Sequence, residues 1–161
     1  MMKFWAQAVF NICVLFGAAL VTWYEGSAIR MNPWEWKYSA HFSQMFHGEV
    51  HTETDILAID HFIYAAKFKP FFPLIMAGCI LHLIVLTGFG LLKKEAKKPA
   101  LYLSLLGVSL FICSGIVFQS PASGLKLFSA FFLITGIACI LMALLIKSPF
   151  YQNRISEKFI S

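Results

Sequence analysis

Four stretches of this chain read as continuous apolar runs rather than alternating patterns. Residues 4–24, 71–92, 100–119 and 127–146 contain no Asp, Glu, Lys or Arg. Each is about 20 residues long, and at about 1.5 Å per residue that crosses a hydrocarbon core of about 30 Å. The pattern predicts four membrane-spanning helices. A cleaved signal peptide is the competing reading of the first run, with Gly26-Ser27-Ala28 resembling a small-residue cleavage site. Its 21 uncharged residues exceed the usual 7–15 of a signal sequence, so a retained helix is expected.

The sizeable polar region is 25–70. It opens on Trp23-Tyr24-Glu25-Gly26-Ser27 and Pro33-Trp34-Glu35-Trp36-Lys37-Tyr38-Ser39, rings interleaved with charge. Such rings suit a membrane–water boundary, because each has an apolar body and a polar tip. The latter part of the loop reads as an amphipathic helix capped by Thr52 or Thr54. Glu53, Asp60 and Lys67 form its polar stripe, and Ile56, Ile59, Phe62, Ile63 and Ala66 its apolar face. That helix is expected on the membrane surface or over the mouth of the bundle.

Composition agrees with the spans. Of 161 residues, 59% are hydrophobic and 13% charged, against about 25% charged in soluble domains. The net charge of +5 does not point to nucleic acid, since the basic residues sit beside apolar runs as membrane orientation requires. Lys3, the lysines at 93, 94, 97 and 98, Lys147, Arg154 and Lys158 share one side; Arg30, Lys37, Lys67, Lys69 and Lys126 share the other. The short lysine-rich loop weighs most. It places both termini, the 93–99 loop and the 147–161 tail in the cytoplasm, and the 25–70 loop outside. The expected fold is therefore all-α: a polytopic membrane protein, an antiparallel four-transmembrane-helix bundle in one membrane domain, with a long extracytoplasmic first loop containing an amphipathic helix.

Candidate chemistry is sparse. Cys13, Cys79, Cys113 and Cys139 all lie in apolar runs, with no Cys-x-x-Cys. His82 lies mid-span, where an ionisable group is expensive. Asn11 should sit at similar depth on the antiparallel first helix, so a structural clasp between the two is expected, with a proton or substrate role as the alternative. In the loop, His47, Glu49, His51 and Glu53 could face one way, His47 and His51 one turn apart on a helix. Zinc is the one cofactor this pattern raises, although the spacing is not a known zinc motif. No Ser–His or paired-carboxylate constellation is visible, so no catalytic residue is assigned. Small residues Gly107, Ser109, Gly115 and Gly136 should let the third and fourth helices approach closely, while Ser104, Ser109, Ser114 and Thr135 bond back to their own helices.

The Trp23-Tyr24-Glu25-Gly26-Ser27 motif just after the first span resembles the YjdJ-like family of small integral membrane proteins from Bacillus and relatives, over roughly residues 1–92. The resemblance implies a Gram-positive plasma membrane and assigns no activity. The leading expectation is thus a non-enzymatic accessory protein. It would contact the bilayer and a membrane or envelope protein, through Tyr24, Arg30, Trp34 and Trp36; self-association is compatible. A small transporter or permeation unit using His82 is the alternative, and a metal-binding sensor or enzyme at the loop histidines the second.

Overall fold

The computed structural model describes residues 2–92 and 98–148. The described residues contain seven α-helices and no strands. They are α1 (Met2–Gly26), α2 (Pro33–Ser39), α3 (His41–His47), α4 (Ala58–Phe68), α5 (Phe71–Leu92), α6 (Lys98–Phe118) and α7 (Ser123–Lys147). Short 3-10 turns cover Ser27–Met31 and Glu53–Asp55. Four helices are long and apolar enough to cross a membrane: Phe4–Met31 (α1 with the turn that follows), α5, α6 and α7. The residues Lys93–Lys97 and the tail from 149, which carry much of the orienting charge, lie outside the described residues.

The chain divides into two compact units. The first runs to Leu81 and includes Pro121–Leu127. Along α1, Asn11, Ala18, Thr22 and Gly26 are buried, and Ile29 continues them. Their spacings of three, four and seven put them on one face, and the small side chains among them allow close packing. Asn11 uses its amide to donate to the Cys79 carbonyl of α5 at 2.8 Å. The expected clasp to His82 is therefore not what this amide makes, and His82 itself is exposed. The residues between α1 and α5 fold as a small cap with its own core. Ile29, Ala40 and Ile56 are nearly inaccessible, and Trp36, Val50 and Tyr64 pack against them.

The second unit contains α6 and the greater part of α7. Besides Pro99, its buried positions on α6 are Ala100, Leu103, Gly107, Leu110 and Ser114, alternating steps of three and four. On α7 Ser129, Gly136, Cys139, Ala143 and Ile146 are buried at steps of seven, three, four and three, again one helix face. A Cβ on Gly107 would lie 3.0 Å from the Gly136 carbonyl oxygen, so the two backbones touch there. Seven residues up α6 and seven down α7, Ser114 Oγ donates to the Ser129 carbonyl at 2.8 Å and Ser129 Oγ to the Ser114 carbonyl at 3.0 Å. That matched step makes the pair antiparallel. Ser104, Ser109 and Thr135 do bond back to their own helices, to Ala100, Leu106 and Phe131. Ser114 does not: it crosses to the neighbouring helix.

Candidate functional site

The cap is built on α4, and α4 begins later than the sequence pattern suggests. Thr52 does cap, but what it opens is the Glu53–Asp55 turn. The Asp55 carboxylate accepts from the backbone N–H of Thr52 at 2.9 Å and of His51 at 3.2 Å. Those bonds, the Thr52 backbone first, hold the Asp55 carboxyl below its usual range. The chain is then extended at Ile56 and Leu57 before α4 starts at Ala58. Glu53 is consequently off the helix, and the expected polar stripe does not form. The buried face of α4 is Asp60, His61 and Ala65, while Ile59 is 48% exposed.

A burial of that kind demands hydrogen bonds. Asp60 is fully buried and caps α3 from 17 residues away. Its carboxylate accepts from the N–H of Phe42 at 3.0 Å, the N–H of Ser43 at 2.8 Å and the Ser43 hydroxyl. The Ser43 oxygen in turn accepts from the Leu57 N–H at 2.8 Å. One carboxylate thus satisfies orphan donors of α3 and complements its dipole. Further along α4, Lys67 Nζ donates to the Tyr38 carbonyl and, at 3.1 Å, to Ser39 Oγ, which donates to Glu35 at 3.0 Å. Burial pushes the Lys67 ammonium below its usual range, and the Glu35 charge opposes that shift. The cap is therefore tied from α4 to α2 and α3 by polar side chains.

Gly26 fixes the cap to α1. A Cβ there would lie 1.9 Å from the His61 carbonyl oxygen, so only glycine permits this approach. Ser27 closes the turn by donating to the Tyr24 carbonyl at 2.7 Å. His61 is 1% exposed, its ring 6.0 Å from that of Trp23. Burial first, and the nearby Arg30 charge second, push its pKa down, against the weaker pulls of the Trp23 backbone carbonyl and of Asp60. The imidazole in this joint is accordingly neutral at pH 7. Gly124, at the start of α7, makes a second backbone approach, its Cβ position 2.4 Å from the Ala66 and Lys67 carbonyl oxygens.

The residues singled out from sequence separate by burial. Trp34 is 87% exposed and Tyr24 74%, and Arg30 is also exposed. Trp36, two residues from Trp34, is half-buried in the cap core and donates its indole N–H to the Ile29 carbonyl at 2.8 Å. Gln44 donates to the Trp36 carbonyl at 2.7 Å. On α3, Met45 and Phe46 are exposed, as is Tyr38 on α2.

His47, Glu49, His51 and Glu53 are all exposed. His51 Nε2 lies 3.9 Å from Glu49 Oε2. His47 ends α3, and Gly48, at φ +80°, turns the chain, so His47 and His51 do not share a helix. Among the described residues no three His, Cys, Asp or Glu side chains converge.

Residues 5–92 match the family described as "Domain of unknown function (DUF4306)". The chain belongs to this family. A DUF4306 match of this extent takes in α1 from Trp5 onward, the cap and α5, and so includes Gly26, Asp60, His61 and Trp36. The relative described as "Uncharacterized protein YjdJ" of Bacillus subtilis (strain 168) is 28% identical over 99 residues, 60% of this chain and 91% of that protein. This agrees with the YjdJ-like resemblance carried by Trp23-Tyr24-Glu25-Gly26-Ser27. No solved structure matches. Asp60 and His61, the buried polar pair of this DUF4306 cap, are what sequence reasoning missed; their position in the first turns of a loop helix gave no sign of burial.

Proposed function

We propose that this protein is a multi-pass plasma-membrane accessory protein that presents its cap on the extracytoplasmic side to a membrane or envelope protein. The observation carrying this reading is the contrast within α2 and α3. One side of these helices, Trp36, Ser39, Ala40 and Ser43, builds a hydrogen-bonded core. The other leaves Trp34, Tyr38, Met45 and Phe46 exposed at 87%, 58%, 79% and 72%. Large exposed aromatics on a rigid support are the usual anchors of protein interfaces. The charge distribution supports the orientation, with both termini cytoplasmic.

The test is photo-crosslinking in native membranes from a photoreactive residue at position 34, with position 54, also exposed, as control. The expected result is one identified protein captured at 34 and not at 54, with binding lost in Trp34→Ala while the cap stays protease-resistant. Capture of lipid alone, or equal capture at both positions, overturns the reading.

A further inference from the structure

A second feature lies where membrane-length helices begin and end. Glu25 is the penultimate residue of α1, Phe71 the first of α5, and Leu127 lies in the second turn of α7. Together with Phe68, Lys69 and Leu74 they line a recess of about 310 Å³. The ends of apolar spans mark the bilayer interface, so this recess opens at headgroup level. Its lining is divided by chemistry. Glu25 and Lys69 supply one carboxylate and one ammonium. Phe68, Phe71 and Leu127 supply apolar surface that is 46%, 67% and 53% exposed. Among the described residues neither Glu25 nor Lys69 forms a salt bridge. Two opposite charges thus line one cavity without neutralising each other, above a greasy wall.

We propose that this recess binds one phospholipid whose headgroup carries both a phosphate and a primary ammonium. Lys69 is the cation for the phosphate. Glu25 accepts N–H bonds from the ammonium, and the first acyl carbons run along Phe71, Leu74 and Leu127. The carboxylate supplies the selectivity. A primary ammonium donates charge-assisted hydrogen bonds, and a quaternary choline has no N–H to donate. A glycerol headgroup has no cation at all, which leaves Glu25 facing only the lipid's negative charge.

The experiment is native mass spectrometry of the delipidated full chain, offered phosphatidylethanolamine, phosphatidylcholine and phosphatidylglycerol of identical chains in equal amounts. Phosphatidylethanolamine adducts should exceed either competitor by about tenfold, the effect of one charge-assisted hydrogen bond. Glu25→Gln should remove the preference over phosphatidylcholine, and Lys69→Ala should lower retention of all three lipids. Amide exchange of the cap checks that each variant is folded, and Lys69→Ala carries the test if Glu25→Gln is not. Equal retention of the three lipids by the unaltered chain overturns the proposal, as does a preference that survives the folded variants. Displacement of the bound lipid by soluble glycerophosphoethanolamine at equal concentration overturns the part assigned to the acyl wall.

Discussion

Replacing Gly26 by alanine tests the joint on which the cap depends. The added methyl would sit 1.9 Å from the His61 carbonyl oxygen, 2.5 Å from its carbon and 2.8 Å from its Cα. Ordinary contact begins near 3.4 Å, so α4 must retreat by about 1.5 Å, and what blocks it is backbone, which cannot rotate away. Retreat uncovers Ala18, Thr22 and Ala65, all nearly inaccessible. Overpacking a well-fitted interface costs about 1–3 kcal/mol, occasionally more; a backbone clash belongs at the upper end, so we expect about 3 kcal/mol. At about 1.4 kcal/mol per decade that is roughly a hundredfold rise in the open population of the cap.

Hydrogen–deuterium exchange of the protein in lipid nanodiscs reads this directly. Amides of α4 should exchange roughly a hundredfold faster in Gly26→Ala, with those of α6 unchanged. Gly17→Ala is the control, because no atom lies within 4 Å of its Cβ position and alanine favours a helix. If Gly26→Ala inserts normally and its α4 exchange stays within twofold of the parent, the argument from close approach is wrong.

Other outcomes follow from the same geometry. Asp60→Ala leaves the Phe42 and Ser43 donors without their acceptor and should cost the cap about 2–4 kcal/mol, seen as loss of protection in α3; protection equal to the parent would contradict the capping role. His61 is held neutral with its pKa below the ordinary 6.5. The folded cap therefore binds fewer protons than the unfolded chain, and its stability should be complete above about pH 6.5 and decline as pH falls below that value. Protease resistance of the cap between pH 7.5 and 5 checks the sign, and His61→Leu should flatten the slope. Trp36→Ala should destabilise the cap by about 2 kcal/mol, whereas Trp34→Ala should leave its melting unchanged; equal effects on thermal unfolding would refute the division into core and surface.

The spans were legible because charge-free runs of about 20 residues have few other uses. The cap was legible only as a helical, aromatic loop. Its interior breaks the rule that pattern reading relies on: Ser39, Ser43, Asp60 and His61 are buried while Ile59 is not. Asp60 can be inside because the N-terminus of α3 supplies its donors, and that helix is 17 residues away in the chain. Trp34 and Trp36 are of one type and two positions apart. Only the turn of α2, set by Pro33 and ended at Ala40, sends one inward and the other out.

The small residues of α6 and α7 show the same limit. Gly107 and Gly136 meet, whereas nothing lies within 4 Å of the Cβ position of Gly115, and Ser109 is exposed and bonds only to its own helix. Helical phase separates them, and phase depends on which face meets a neighbour. The Trp-Tyr-Glu-Gly-Ser motif was visible from the start, but the reason for its glycine lies 35 residues downstream, at His61. Both halves of that contact fall within the 5–92 match to the family, and every α6–α7 contact falls beyond it. A substitution at Gly26 therefore probes a contact inside the family-matched segment, while one at Gly136 probes a helix contact outside it.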